Sequence, residues 1–210
     1  MSTLAQVANG IRIRLTLALL FIALSVPAHA QVTAFKQAVA EAAASDEAIA
    51  AFYQERGYQP IWTGKGAKDR QRRAALIEAA SGAGMHGLPA GLYDPAQIKA
   101  RIKAARGPDA LGKLEVYLTS LFLDYARDVQ TGILTPSRVD REIVRAVPYR
   151  DRQATLVAFA KSSAKGFMKA LPPQSGEYTR LMKEKFDMEK LIARGGWGPQ
   201  VQARSLKPGQ

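Results

Sequence analysis

Three observations predict a mainly α-helical fold. Apolar residues recur at helical spacing in several segments, and one such run continues for about five turns. Only one short stretch has the character of a strand. With 47% apolar residues among 210, the chain can bury a genuine core.

The first thirty residues read as an export signal rather than as fold. Arg12 and Arg14 form a positive start, "LTLALLFIALSV" is an apolar run of twelve, and Pro27-Ala28-His29-Ala30 places small residues where a signal peptidase reads. Cleavage is expected between Ala30 and Gln31. A run of twelve falls short of the ~20 residues that span a bilayer, so no stable membrane span is expected after cleavage. The resulting chain is expected in the periplasm.

The remaining elements follow in order. "FKQAVAEAAA" and "DEAIAAFYQERG" form an Ala-rich helix pair, with Ser45 as N-cap of the second and Asp46 and Glu47 suited to its first-turn dipole. Ile49, Phe52 and Tyr53 share one face of it. Tyr58, Pro60, Ile61 and Trp62 form an extended apolar stretch, either a short strand or, because of Pro60, an irregular packed segment. A third helix begins near Asp69 with Leu76, Ile77 and Ala80 inward. It stops at "SGAGMHGLPAGLYDP", where Gly84 and Gly87 suit a helix exit and Pro89 blocks continuation. Asp94-Pro95 caps and opens "AQIKARIKAA".

The longest helix is expected from Pro108 to about Thr131. Leu111, Leu114, Leu118, Leu121, Phe122, Tyr125 and Val129 keep the helical period there, and Gly132 ends it. This helix is the expected centre of the core. After "ILTPSRVD", helical patterns cover about 151–171 and 177–194, separated by Leu171-Pro172-Pro173. Gly195, Gly196 and Gly198 then surround Trp197 and open a linker over 195–210. The helical domain is thus expected over 31–194.

Charge and residue types restrict the chemistry. The net charge is +12, or +10 once Arg12 and Arg14 leave with the signal. For an exported chain, the anionic partners are wall polymer, lipid head groups or acidic protein rather than nucleic acid. The chain has no cysteine, so it offers no disulfide, thiolate nucleophile or cysteine-held metal.

His86 is the one histidine beyond the signal. It lies in a helix-exit turn, where its ring is expected to bond a nearby carbonyl rather than to act as a base. No metal-ligand spacing is present, and no metal or other cofactor is expected. Glu115, Asp124, Asp128, Glu142 and Glu184 are available carboxylates, of which Asp124 beside Arg127 and Glu184 beside Lys185 read as solvated helix faces. The run "KGAKDRQRR" places Lys65, Lys68, Arg70, Arg72 and Arg73 at a helix start. An exposed basic face is expected there, with partner binding as the alternative. Trp62, Tyr93, Tyr117 and Trp197 either stack on sugars or fill core. No catalytic residue is assigned.

The runs "FYQERGYQPIWTG", "AALIEAASGAGMHGLPAGLYDP", "YLTSLFLDYARDVQTGILTP" and "LPPQSGEYTRLMKEKFDMEKLIARGGWG" occur in the order of one known arrangement. Over residues 33 to 209 the chain resembles the helical scaffold region of large murein L,D-transpeptidases. In that family the scaffold follows an export signal, and a Gly-rich exit leads to a peptidoglycan-binding module. A catalytic domain with a histidine segment and a Ser-x-Gly-Cys nucleophile comes after it. The resemblance implies a role in joining diaminopimelate residues of neighbouring stem peptides through a cysteine acyl-enzyme.

Neither the histidine segment nor the Ser-x-Gly-Cys motif has a counterpart in this sequence, so this chain alone is expected to be inactive. The implied partners are peptidoglycan and the C-terminal peptidoglycan-binding and catalytic domains. Two other readings stay open. One is a freestanding periplasmic adaptor for wall polymer or a wall-enzyme partner, and the other is an unrelated carboxylate hydrolase.

Overall fold

The computed structural model of the chain describes residues 28–199, with side chains from Thr33 onward. Among the described residues there are nine α-helices and no strand: α1 (Ala28–Ala43), α2 (Glu47–Glu55), α3 (Ala67–Gly82), α4 (Pro95–Ala104), α5 (Gly107–Thr131), α6 (Pro136–Val139), α7 (Arg152–Lys161), α8 (Ala164–Ala170) and α9 (Gly176–Ala193). A 3-10 turn (Ala83–His86) extends α3. The mainly α class is as the sequence predicts. The basic and apolar runs before Pro27 lie outside the described residues. The expected cleavage point between Ala30 and Gln31 falls in the first turn of α1.

α5 is the central element. Leu118 and Phe122 are fully buried on it, and Leu114, Tyr125 and Val129 are buried beside them, while Leu121 packs at the margin and Leu111 is half-buried. α1 lies along α5, α2 packs on α7, and α3 packs on both α4 and α8. Trp62, Phe122 and Phe159 form an aromatic stack between these helices, with ring centroids 5.2 Å apart for Trp62–Phe159 and 4.3 Å for Phe122–Phe159. Each such side chain contributes about 1.5–3 kcal/mol by leaving water.

The close passage of α1 over α5 depends on Gly112. A Cβ at this position would stand 2.8 Å from the Phe35 carbonyl oxygen and 2.7 Å from the Ala38 Cβ. Both obstacles belong to α1 and one is backbone, so the helices would have to separate. Gly112→Val is accordingly expected to lower unfolding free energy by about 1–3 kcal/mol, the scale of an overpacked core. Urea denaturation followed by circular dichroism measures this, and a change within ~0.5 kcal/mol would mean that the approach tolerates a side chain.

Several local expectations are corrected. Asp46, not Ser45, caps α2: its carboxylate accepts from the Ile49 N–H at 3.2 Å, and it also meets Arg152 of α7. The second contact favours the carboxylate over the neighbouring hydroxyl. The extended stretch after Tyr58 is a series of bends rather than a strand, entered through left-handed backbone at Gly57 (φ 58°) and Tyr58 (φ 62°). The pattern over 151–171 is two helices. Ser162 ends α7, and Ser163 caps α8 by accepting from the Gly166 N–H at 3.2 Å. At the end of α3, Gly87 takes the positive φ of a helix exit (76°), whereas Gly84 stays within the 3-10 turn. Asp94 caps α4 as expected, and Gly132 ends α5.

Candidate functional site

Glu115 on α5 is the buried polar centre of the molecule. Nothing within residues 60–63 satisfies the backbone N–H groups of that bent segment, because the segment forms neither helix nor strand. Instead, three successive N–H groups converge on one carboxylate. Ile61 donates at 2.6 Å and Trp62 at 3.1 Å to Oε1, and Thr63 donates at 2.8 Å to Oε2. The Thr63 hydroxyl adds 2.7 Å to Oε2 and the Tyr53 hydroxyl 2.8 Å to Oε1. Such a nest of consecutive N–H groups is a fixed anion cradle, here filled from within the chain. Thr119, one turn further along α5, accepts from Trp62 Nε1 at 2.9 Å and lies 2.7 Å from the Tyr53 hydroxyl. Burial, and then the nearby Glu115 charge, holds the Tyr53 phenol well above its ordinary pKa, so it remains a donor.

The basic run is the expected exposed face only in part, at Lys65, Lys68 and Arg70, while Arg72 and Arg73 turn inward. Arg72 is buried, donating to the Ile61 carbonyl at 3.2 Å and to the Ala160 carbonyl at 2.8 Å while pairing with Asp69 at 3.2 Å. Arg73 donates to the Trp62 and Gly64 carbonyls, and Arg70 to that of Lys65. These three arginines therefore hold the carbonyl side of the segment whose N–H side Glu115 holds. Lys65 and Lys68 are exposed.

The other sequence-named residues are dispersed. His86 contacts a hydroxyl rather than a carbonyl: its Nδ1 lies 2.6 Å from the Tyr178 oxygen, which ties the 3-10 turn to α9. Partial burial lowers its pKa, favouring the neutral ring. Asp128 is buried, accepting from Tyr93 at 2.6 Å and pairing with Arg127 at 2.7 Å. Burial first, and this hydrogen bond second, raise the Tyr93 phenol far above its usual range. Asp124 lies 3.7 Å from Arg127 as expected, and desolvation raises its pKa. Glu142 is exposed, and Glu184 lies 3.9 Å from Lys183, while Lys185 pairs with Glu189. Trp62 and Tyr93 fill core, Tyr117 is half-buried under Arg101, and Trp197 is 74% exposed. Of the four aromatic candidates, then, Trp197 is the most open to a sugar. Among the described residues, no group of three or more His, Asp or Glu side chains is placed to hold a metal ion. No described helix is long and apolar enough to cross a membrane.

Two open surfaces were not singled out by sequence. A groove of about 520 Å³ runs between the end of α5, the start of α7 and the loop joining them, lined by Arg127, Gln130, Ile133, Tyr149, Arg150 and Arg152 among others. Its signal in the sequence was the non-helical stretch 140–151, which spaces arginines among apolar residues. The second surface is α9. None of its residues is buried, and Leu181, Met188 and Ile192 are 52–69% exposed along one side, with the Lys185–Glu189 pair between them.

Comparison with known proteins gives one family match. Neither the curated proteins nor the solved structures yield a match. A family model described as "Scaffold domain" matches residues 47–184, from the start of α2 into the middle of α9. That span contains the Glu115 centre, the arginines that brace it and the groove, and the match covers more than half of the chain. The chain belongs to the Scaffold domain family.

Proposed function

We propose that this chain is the scaffold portion of a periplasmic murein L,D-transpeptidase, holding modules of a wall cross-linking enzyme in place without supplying a reacting group. The observation that carries this reading is where the family-like sequence lies. "FYQERGYQPIWTG" and "YLTSLFLDYARDVQTG" are runs that meet at Thr119, where the Tyr53 hydroxyl and Trp62 Nε1 converge one turn beyond Glu115. Their polar groups are used on one another, which fits segments that set shape rather than supply chemistry. Glu115 and Asp128, buried carboxylates named as available for catalysis, are both occupied by donors of the chain itself.

The adaptor reading rests on a separate observation, the exposed apolar side of α9. Exposed apolar surface of this kind commonly marks an interaction site. Under either reading the exported chain starts at Gln31.

Sacculi carrying tetrapeptide stems test the proposal. The purified chain is expected to generate no new cross-linked muropeptides, because the family's acyl transfer uses a thiolate this sequence lacks. New cross-links formed by the chain alone would overturn the scaffold reading. In a pull-down across a salt series, binding to sacculi is expected at low ionic strength and is expected to fade as salt screens the basic chain. Absence of binding even at low salt would remove the wall-adaptor reading and leave the scaffold one standing.

A further inference from the structure

The groove at the end of α5 has unused binding capacity of a definite kind. Two of its three arginines are committed. Arg127 pairs with Asp128 at 2.7 Å and Asp124 at 3.7 Å, and Arg152 pairs with Asp46 and, at 3.9 Å, with Asp124. Arg150, on the same groove, makes no side-chain hydrogen bond or ion pair among the described residues. The Nε2 of Gln130 is buried and has no acceptor. Gln130 also lines an adjoining cavity that Arg145 shares. A buried donor left without an acceptor is a standing cost to the fold, and an incoming acceptor removes it.

The unused groups define the ligand. One free guanidinium offers two parallel N–H groups, and the amide adds a third donor, a set that matches the two oxygens of a single carboxylate. A phosphate monoester carries nearly two negative charges at neutral pH and would leave the second without a counter-charge here. Leu123, Ala126, Ile133 and Tyr149 supply an apolar part of the wall, beside the polar Thr131, Thr135 and Thr155 and the Asp128 already paired with Arg127. A volume of about 520 Å³ lies within the usual range for small-ligand sites and suits one or two residues of peptide.

We infer that this groove binds peptides by a free carboxylate, held by Arg150 and Gln130, with a small apolar side chain seated against Leu123, Ile133 and Tyr149. The carboxylate belongs either to the chain terminus or to an acidic side chain. The inference does not depend on the wall-related reading, since it rests on the donors and walls of the groove alone.

Calorimetric titration of the full chain with four probes tests it. These are acetyl-trialanine, its C-terminal amide, acetyl-Ala-Glu-Ala amide and inorganic phosphate. One or both carboxylate peptides are expected to bind roughly tenfold or more tightly than the trialanine amide, the effect of one charge-assisted hydrogen bond. Their ranking identifies the source of the carboxylate. Arg150→Gln is expected to remove that advantage. Because Arg150 is exposed and outside the core, the variant should retain the native circular dichroism melt. Equal binding of acid and amide, phosphate binding as strong as the peptides, no change in Arg150→Gln, or no peptide binding at millimolar concentration would each overturn the inference.

Discussion

Glu115→Gln is expected to destabilise the domain by about 3–5 kcal/mol, the scale of breaking a buried charged network by removing one member. The two side chains have nearly the same shape, so lost packing is not the cause. Five donor groups point at the two oxygens of Glu115. An amide keeps one oxygen and replaces the other by N–H, which faces donors with a donor. Even with the amide oxygen in the Oε1 position, the Thr63 N–H and hydroxyl would face an N–H, and the reverse orientation strands Ile61 and Tyr53 instead, each unsatisfied donor costing about 1–3 kcal/mol. Urea denaturation gives the free energy, and for a domain of this size the Tm should fall by about 10 °C. A loss below ~1 kcal/mol would mean that water or backbone movement satisfies the 61–63 segment, and the buried centre would not be what fixes it.

Trp62→Ala is expected to cost about 3–5 kcal/mol, the range for deleting a buried aromatic side chain. Trp62 is fully buried, stacks on Phe159 and lies 5.9 Å from Phe122, so its removal leaves a cavity walled by rings that cannot all collapse inward. It also takes away the Nε1 donor to Thr119. Trp62→Phe separates the two losses by retaining most of the volume without the indole N–H, and should cost distinctly less. Equal losses for the two variants would assign the effect to the hydrogen bond instead of to packing. Near-UV circular dichroism gives an independent reading, because this ring sits in a fixed aromatic environment.

Helix positions were largely legible in the sequence, because a 3.6-residue apolar period is a local property. The seven apolar positions of α5 could be read this way, and five of them are buried. What was not legible depends on distant partners. Glu115 stands between Leu114 and Val116 and looks like a routine helix-surface carboxylate until residues 52–62 positions earlier are brought to it. Arg72 and Arg73 sit in a run of like charge that usually means a solvated face. Nothing local announces that the Ile61, Trp62 and Ala160 carbonyls need donors. The choice of Asp46 over Ser45 turns on the same point, since both cap helices well and Arg152, more than a hundred residues away, favours the carboxylate. The α5 groove escaped notice because its donors count as unused only once every other arginine in it has been assigned a partner.

α9 differs from the other long helices in a way that bears on local unfolding. It has 18 residues and buries none of them, so tertiary packing gives it little of the support that holds α5. Its order rests on the Ser175 cap, on ion pairs such as Lys183–Asp187 and Lys185–Glu189, and on the anchor from Tyr178 to His86 at its first turn. Isolated helices of this length are marginal in water. The far end of α9 should therefore open separately from the rest, exchanging its amide hydrogens at a small fraction of the free energy that protects α5. Anything that covers its apolar side then has to supply the ordering of three or more turns as well as the contact. The protection gained by those amides on binding would measure that coupling directly.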